Sequence, residues 1–148
     1  MLRGTSAVFI REMYILRRRL PKLACSWSVS PLLYMVAFGY AMGDTMAGGR
    51  PYAEFLLPGL IAMSSMTQAW GIASDINIAR FYWRIFEEFQ AAPIHPAAYV
   101  TGEIAAGIVR ALLASCLIVV IGLLFGVKIA YLSPMLWLAA ALNALVFA

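Results

Sequence analysis

Charge is the scarcest resource of this 148-residue chain: 12% of its residues are charged and 64% are hydrophobic. A soluble domain carries roughly twice that charge and about 45–50% apolar residues. A core of this length has no room for so much apolar surface, whereas lipid accommodates it without burial in protein. Cysteine is nearly absent. Cys25 and Cys116 both sit in apolar stretches, which excludes a disulfide framework or a thiolate metal site and reads as two small buried hydrophobes. His95, the single histidine, lies between Pro93 and Pro96 with no partner at catalytic or metal spacing. A Walker A loop is missing, as is any Ser or Cys nucleophile signature, so no cofactor is expected in this chain and nucleotide hydrolysis by the P-loop route is excluded. No nucleic-acid partner is expected.

What is present is a set of long uncharged runs. Residues 1–22 hold six basic residues and one acid, Glu12. Phe9, Met13, Leu16 and Leu20 recur at helical spacing, with Arg11, Tyr14 and Arg18 on the other side. That pattern predicts an amphipathic interfacial helix at about 5–20, lying on membrane lipids. Uncharged runs then predict spans at about 23–43, 55–74 and 99–126, each reaching the ~20 residues a crossing needs. Pro31 falls inside the first and is tolerable where neighbouring helices satisfy the freed carbonyl. The first apolar run exceeds the ~7–15 residues of a signal peptide, so Ala41 and Gly43 are not read as a cleavage site.

From Pro134 to Ala148 the chain is again apolar, interrupted only by Asn143. Fifteen residues at ~1.5 Å each do not cross ~30 Å of hydrocarbon. This fourth span at 134–148 is therefore expected to be truncated, leaving Asn143 without partner helices. The fold class follows: all-α, a single polytopic transmembrane domain. Eight Lys and Arg fall in segment 1–22 and loop 75–98, against Arg50 and Lys128 in the other loops. That asymmetry places the N-terminus in the cytoplasm.

Three features carry candidate chemistry. Read as a helix, Arg80 to Gln90 sets Phe81, Tyr82, Ile85, Phe86 and Phe89 on one arc and Arg80, Arg84, Glu87 and Glu88 on the other, before Pro93 ends it. Lipid headgroups and a hydrophobic groove on a soluble partner fit this arc equally well. Glu103 and Arg110, two turns apart inside the third span, read either as part of a translocation path or as a structural tie near the headgroups. Gln68, with Ser64, Ser65 and Thr67, suits a sugar-like substrate or interhelical hydrogen bonds. Gly39 to Gly43 and Gly122 to Gly126 both fit G-x-x-x-G, a spacing that permits close helix approach.

The order of these parts, with Tyr52-Ala-Glu-Phe-Leu-Leu-Pro-Gly-Leu opening the second span, Phe86-Glu-Glu-Phe-Gln-Ala-Ala-Pro-Ile closing the cytoplasmic helix and Tyr99-Val-Thr-Gly-Glu103 entering the third, resembles the permease subunit of bacterial type-2 ABC exporters. The branch with nodulation-factor and polysaccharide export permeases is the most similar. The resemblance implies six spans, a permease homodimer in the cell inner membrane and a separate cytoplasmic ABC ATPase that binds the ATP. It makes Arg84, Phe86, Glu87, Glu88 and Phe89 the ATPase-coupling residues, with a lipid-linked glycan, polysaccharide or drug-like molecule as substrate. Two other classes compete with it: a membrane-bound enzyme using Glu103, Asp75 or His95, and a structural membrane subunit with no substrate.

Overall fold

A computed structural model describes residues 2–42, 52–82, 91, 95–127 and 133–148. Among these the structure is helical, in the order α1 (Leu2–Met42), α2 (Tyr52–Phe81), α3 (Pro96–Leu124) and α4 (Pro134–Phe147). Helix α1 is unbroken for 41 residues, about 60 Å. It joins the stretch read as an interfacial helix to the stretch read as the first span. The change of composition at residue 22 alters what the helix meets, not whether its backbone bonds close. Pro21 and Pro31 sit inside it and free the carbonyls of Arg17 and Trp27.

Helix α2 likewise continues past the predicted span end, through Asp75 and Arg80 to Phe81. Arg80 therefore closes α2 and does not open a separate helix. Helix α3 is, among the described residues, the one helix both long and apolar enough to cross a membrane by itself. His95 caps its N-terminus: its Nδ1 accepts from the Ala97 amide at 3.2 Å, a role the sequence reading did not assign. At the other end Val127 donates to the Gly122 carbonyl and Gly126 to that of Leu123, with Gly126 at φ +70°. This is a Schellman cap, which needs the left-handed conformation glycine adopts freely. Gly126 thus ends α3, and the Gly122–Gly126 spacing is not a helix-packing face. Gly39 to Gly43 runs past the described residues.

The helices alternate in direction. Met35 of α1, Leu57 of α2, Ile118 of α3 and Ala140 of α4 close one core. Nearer the middle, Ala69, Ala111 and Ala144 bring α2, α3 and α4 together. Leu16 and Trp27, either side of Pro21, both pack around Ala114. Small residues set the closest approaches: a Cβ on Gly122 would stand 2.5 Å from Leu57 Cδ2, and one on Gly102 would stand 2.9 Å from Val8 Cβ. The outer surface is apolar, with Phe55 72% and Leu124 81% exposed, as lipid requires. Cys25 and Cys116 are exposed on it, contrary to the expectation of burial. In a lipid-facing helix a small apolar side chain needs no protein neighbour.

Candidate functional site

The polar side chains within the helices gather at two places. The larger lies where the first half of α1, the last third of α2 and the first half of α3 meet. Arg11 Nη1 stands 3.1 Å from Glu12 and 3.9 Å from Glu103. Glu103, 4% exposed, also receives the hydroxyl of Tyr99 one turn earlier on α3. Arg110 Nη1 donates to Asp75 at 2.7 Å, tying α3 to α2. Its guanidinium lies 5.9 Å from the Trp27 ring centroid on α1. One rigid fork therefore touches three helices, the geometry that distinguishes Arg from Lys. The Arg110 Nε is buried and has no partner.

Glu103 and Arg110 share a face of α3 but do not pair with each other; each reaches to another helix. Between α1 and α2 the charges leave a cleft of two chambers, about 190 and 230 Å³. Glu12, Ile15, Arg19, Ile72 and Asp75 line both. Arg110 and Ala106 floor the first, Tyr99 and Glu103 the second. Gln68 is half-buried on α2 and lines neither chamber. The coupling residues Arg84, Phe86, Glu87, Glu88 and Phe89 lie outside the described residues.

The second place is a knot between α2 and α4. Asn143 Nδ2 donates to the Ala62 carbonyl at 2.8 Å and to Ser65 Oγ at 2.7 Å, while Ser65 Oγ donates to Ala62 at 2.9 Å. Asn143 is therefore partnered by the second helix, against the expectation that it lacks partners. Thr67 instead bonds its own helix, at the Met63 carbonyl. Beside the knot is an apolar cavity of about 440 Å³, bordered by Pro58, Met135 and Ala139.

The sequence reading missed most of the cleft. Asp75 stood as the polar end of a span, Arg11 and Arg19 as parts of a surface helix, and Trp27 as part of the first span. Two signals pointed towards it. Glu12 is the lone acid in a basic run, and Glu103 and Arg110 are seven residues apart, which sets them on one helical face. Among the described residues no group of three His, Cys, Asp or Glu is arranged to hold a metal ion.

Residues 4–148 match the family described as ABC-2 type transporter. The chain belongs to that family. It is 33% identical over 100 residues to the inner membrane transport permease YadH of Escherichia coli K12, and equally to YadH of Escherichia coli O157:H7 and of Shigella flexneri. The match covers 66% of this chain and 39% of the relatives' length. No solved structure gives a significant match. Membership agrees with the type-2 exporter resemblance read from the second span and the start of α3.

Proposed function

We propose that this chain is a permease subunit of an ATP-binding cassette exporter in the inner membrane. In this reading it is multi-pass with a cytoplasmic N-terminus, pairs with a second permease copy, and is powered by a separate cytoplasmic ATPase. The observation that carries the reading is the family match along residues 4–148. The name of the relatives as inner membrane transport permeases supports the location, and the distribution of basic residues supports the orientation. The cargo class is a lipid-linked glycan, a polysaccharide or a drug-like molecule. Glu103 and Arg110 face the cleft and are the residues of the proposed path that border a space; Gln68 is placed on the path by the sequence pattern alone.

The ATPase contact is assigned to Arg84, Phe86, Glu87, Glu88 and Phe89. Phe86 and Phe89 are the anchors, and Glu87 and Glu88 pair with basic residues at the groove rim. Losing a buried aromatic anchor costs about 2 kcal/mol or more of binding, and a rim charge less. Phe89→Ala is therefore expected to lose most of the ATPase that co-purifies from membranes, while inserting normally. Glu87→Lys weakens capture less, and in a salt-dependent way. Unchanged capture by Phe89→Ala removes the coupling assignment. A cysteine at Gly49 should react with an impermeant thiol reagent in intact cells, and labelling at Gly4 instead reverses the orientation.

A further inference from the structure

The charges of the cleft are ordered by depth. Helix α3 is 29 residues long, about 43 Å, against ~30 Å of hydrocarbon. Its first turn therefore reaches past the hydrocarbon, Tyr99 and Glu103 follow in order, and Arg110 lies about 10 Å beyond Glu103 along the same helix. Glu12, Asp75, Arg19 and Ile72 line both chambers; Glu103 borders the outer one, and Arg110, Leu16 and Leu23 the inner one. Arg11 also lines the outer chamber, but its guanidinium already bridges Glu12 and Glu103. Along both α1 and α3 a carboxylate precedes a guanidinium by seven residues, Glu12 before Arg19 and Glu103 before Arg110, and the aliphatic Leu23 follows on α1. An aminophospholipid presents the complementary order: ammonium, phosphate, acyl chain.

We propose that the cleft between α1 and α2 binds the phosphoethanolamine headgroup of an aminophospholipid, ammonium towards Glu12 and Glu103 and phosphate on Arg19 and Arg110. Three observations meet here. Each chamber is several times the ~30 Å³ share of a water molecule, so together they take a headgroup. Arg110 spends Nη1 on Asp75 but still borders the inner chamber, where a guanidinium suits a phosphate oxygen. The Trp27 ring holds the guanidinium at the cleft floor, so the site is formed before the lipid arrives. Three acids and three arginines line the two chambers, so a purely anionic headgroup gains no net attraction from them. A choline headgroup has the positive charge but no N–H to donate to the carboxylates. The inference goes beyond the permease reading and stands on the cleft alone; a resident lipid and a transported one occupy it alike.

The test uses the full chain in detergent micelles, with phosphatidylethanolamine, phosphatidylcholine and phosphatidylglycerol of identical acyl chains added in turn. Retention is read by native mass spectrometry and stabilisation by thermal unfolding. Phosphatidylethanolamine should be retained and raise Tm, with the other two bound about tenfold more weakly, the scale of one or two charge-assisted hydrogen bonds. Arg19→Gln, at an exposed position on α1, should leave the lipid-free Tm in place and weaken phosphatidylethanolamine retention by about tenfold. Glu12→Gln should act in the same direction. Equal retention of the three lipids overturns the proposal, and so does an Arg19→Gln chain that holds phosphatidylethanolamine as the parent does.

Discussion

At the end of the bundle where α1 reaches residue 42, Met35, Leu57, Ile118 and Ala140 close against one another, and Gly122 gives up its side chain so that Leu57 can enter. At the other end Arg11, Glu12, Asp75, Glu103 and Arg110 join the same helices through ion pairs around a space. The first arrangement has no alternative of similar energy, because a close-packed core loses contacts with any displacement. The second is less constrained, because Arg11 already has both Glu12 and Glu103 within reach. The contrast divides the bundle into a packed end at the Leu57 core and a charged end at the cleft.

The largest expected effect tests the packed end. Leu57 is 0% exposed, and Leu57→Ala should cost about 2 kcal/mol of unfolding free energy in micelles. That is the low end for a buried leucine, because in lipid helix association is driven by packing and not by removal from water. Since Leu57 fills the space a Gly122 Cβ would take, Leu57→Ala combined with Gly122→Ala should recover part of the loss. Additive losses in that double-mutant cycle would show that the two positions do not share one space.

The next effect tests the charged end by its asymmetry. Asp75 is 62% exposed at its side chain and Arg110 only 18%. Asp75→Asn leaves a mostly buried guanidinium without its counter-charge, an expected loss of about 1.5 kcal/mol, below the ~3–5 kcal/mol of fully buried pairs because Asp75 meets water. Arg110→Met removes the buried charge itself and leaves Asp75 solvated, so it should cost less, about 0.5 kcal/mol or under. Thermal unfolding of the two variants side by side decides it; equal losses mean that the pair, and not the stranded charge, sets the energy.

These two ends differ in how far the sequence exposed them. The helical class and the apolar surface were legible, because composition reports directly on the solvent; of the four segments read as spans, α3 is the one long and apolar enough to cross a membrane by itself among the described residues. Helix boundaries were less so. The reading stopped helices where charge appeared, at residues 22 and 75, yet α1 and α2 run through both positions. Charge measures depth in a bilayer; it does not break a backbone hydrogen bond. The contacts of Arg110 with Asp75 and of Asn143 with Ser65 join positions 35 and 78 residues apart, and no local pattern encodes which faces of two helices will meet. Gly102 and Gly122 were visible only as glycines; that Val8 and Leu57 occupy their missing side chains is a property of the packing.

A smaller effect asks whether the two ends are mechanically separate. A Cβ on Gly102 would stand 2.9 Å from Val8 Cβ and 3.1 Å from the Thr5 carbonyl oxygen. Gly102→Ala must therefore push α1 from α3 at the level of Arg11 and Glu103. The expected cost is about 1 kcal/mol, the low end for overpacking, since α1 has the cleft on its other side to move into. Amide exchange should speed up in residues 5–16 and stay unchanged around Leu57 and Ile118. Faster exchange in both places would mean that the ends are coupled.

The smallest expected effect concerns the knot of Asn143, a polar tie placed among apolar packing. Its amide donates to Ala62 and Ser65, and the sequence alone makes it a candidate for a costly intramembrane polar group. The geometry argues otherwise. Ser65 Oγ keeps its own bond to the Ala62 carbonyl when Asn143 is gone, so Asn143→Leu strands neither group. What is lost is the net worth of interhelical hydrogen bonds in a membrane, about 0.6 kcal/mol on average, and the leucine regains some of it against the apolar cavity beside Pro58 and Ala139. Asn143→Leu should then shift unfolding by no more than about 0.6 kcal/mol, whereas Ser65→Leu, at a fully buried position between the helices, should do more by overpacking. A loss from Asn143→Leu as large as that from Leu57→Ala would place the hold on α4 in the hydrogen bonds and not in Ala140 and Ala144, and the division between a packed end and a charged end would no longer stand.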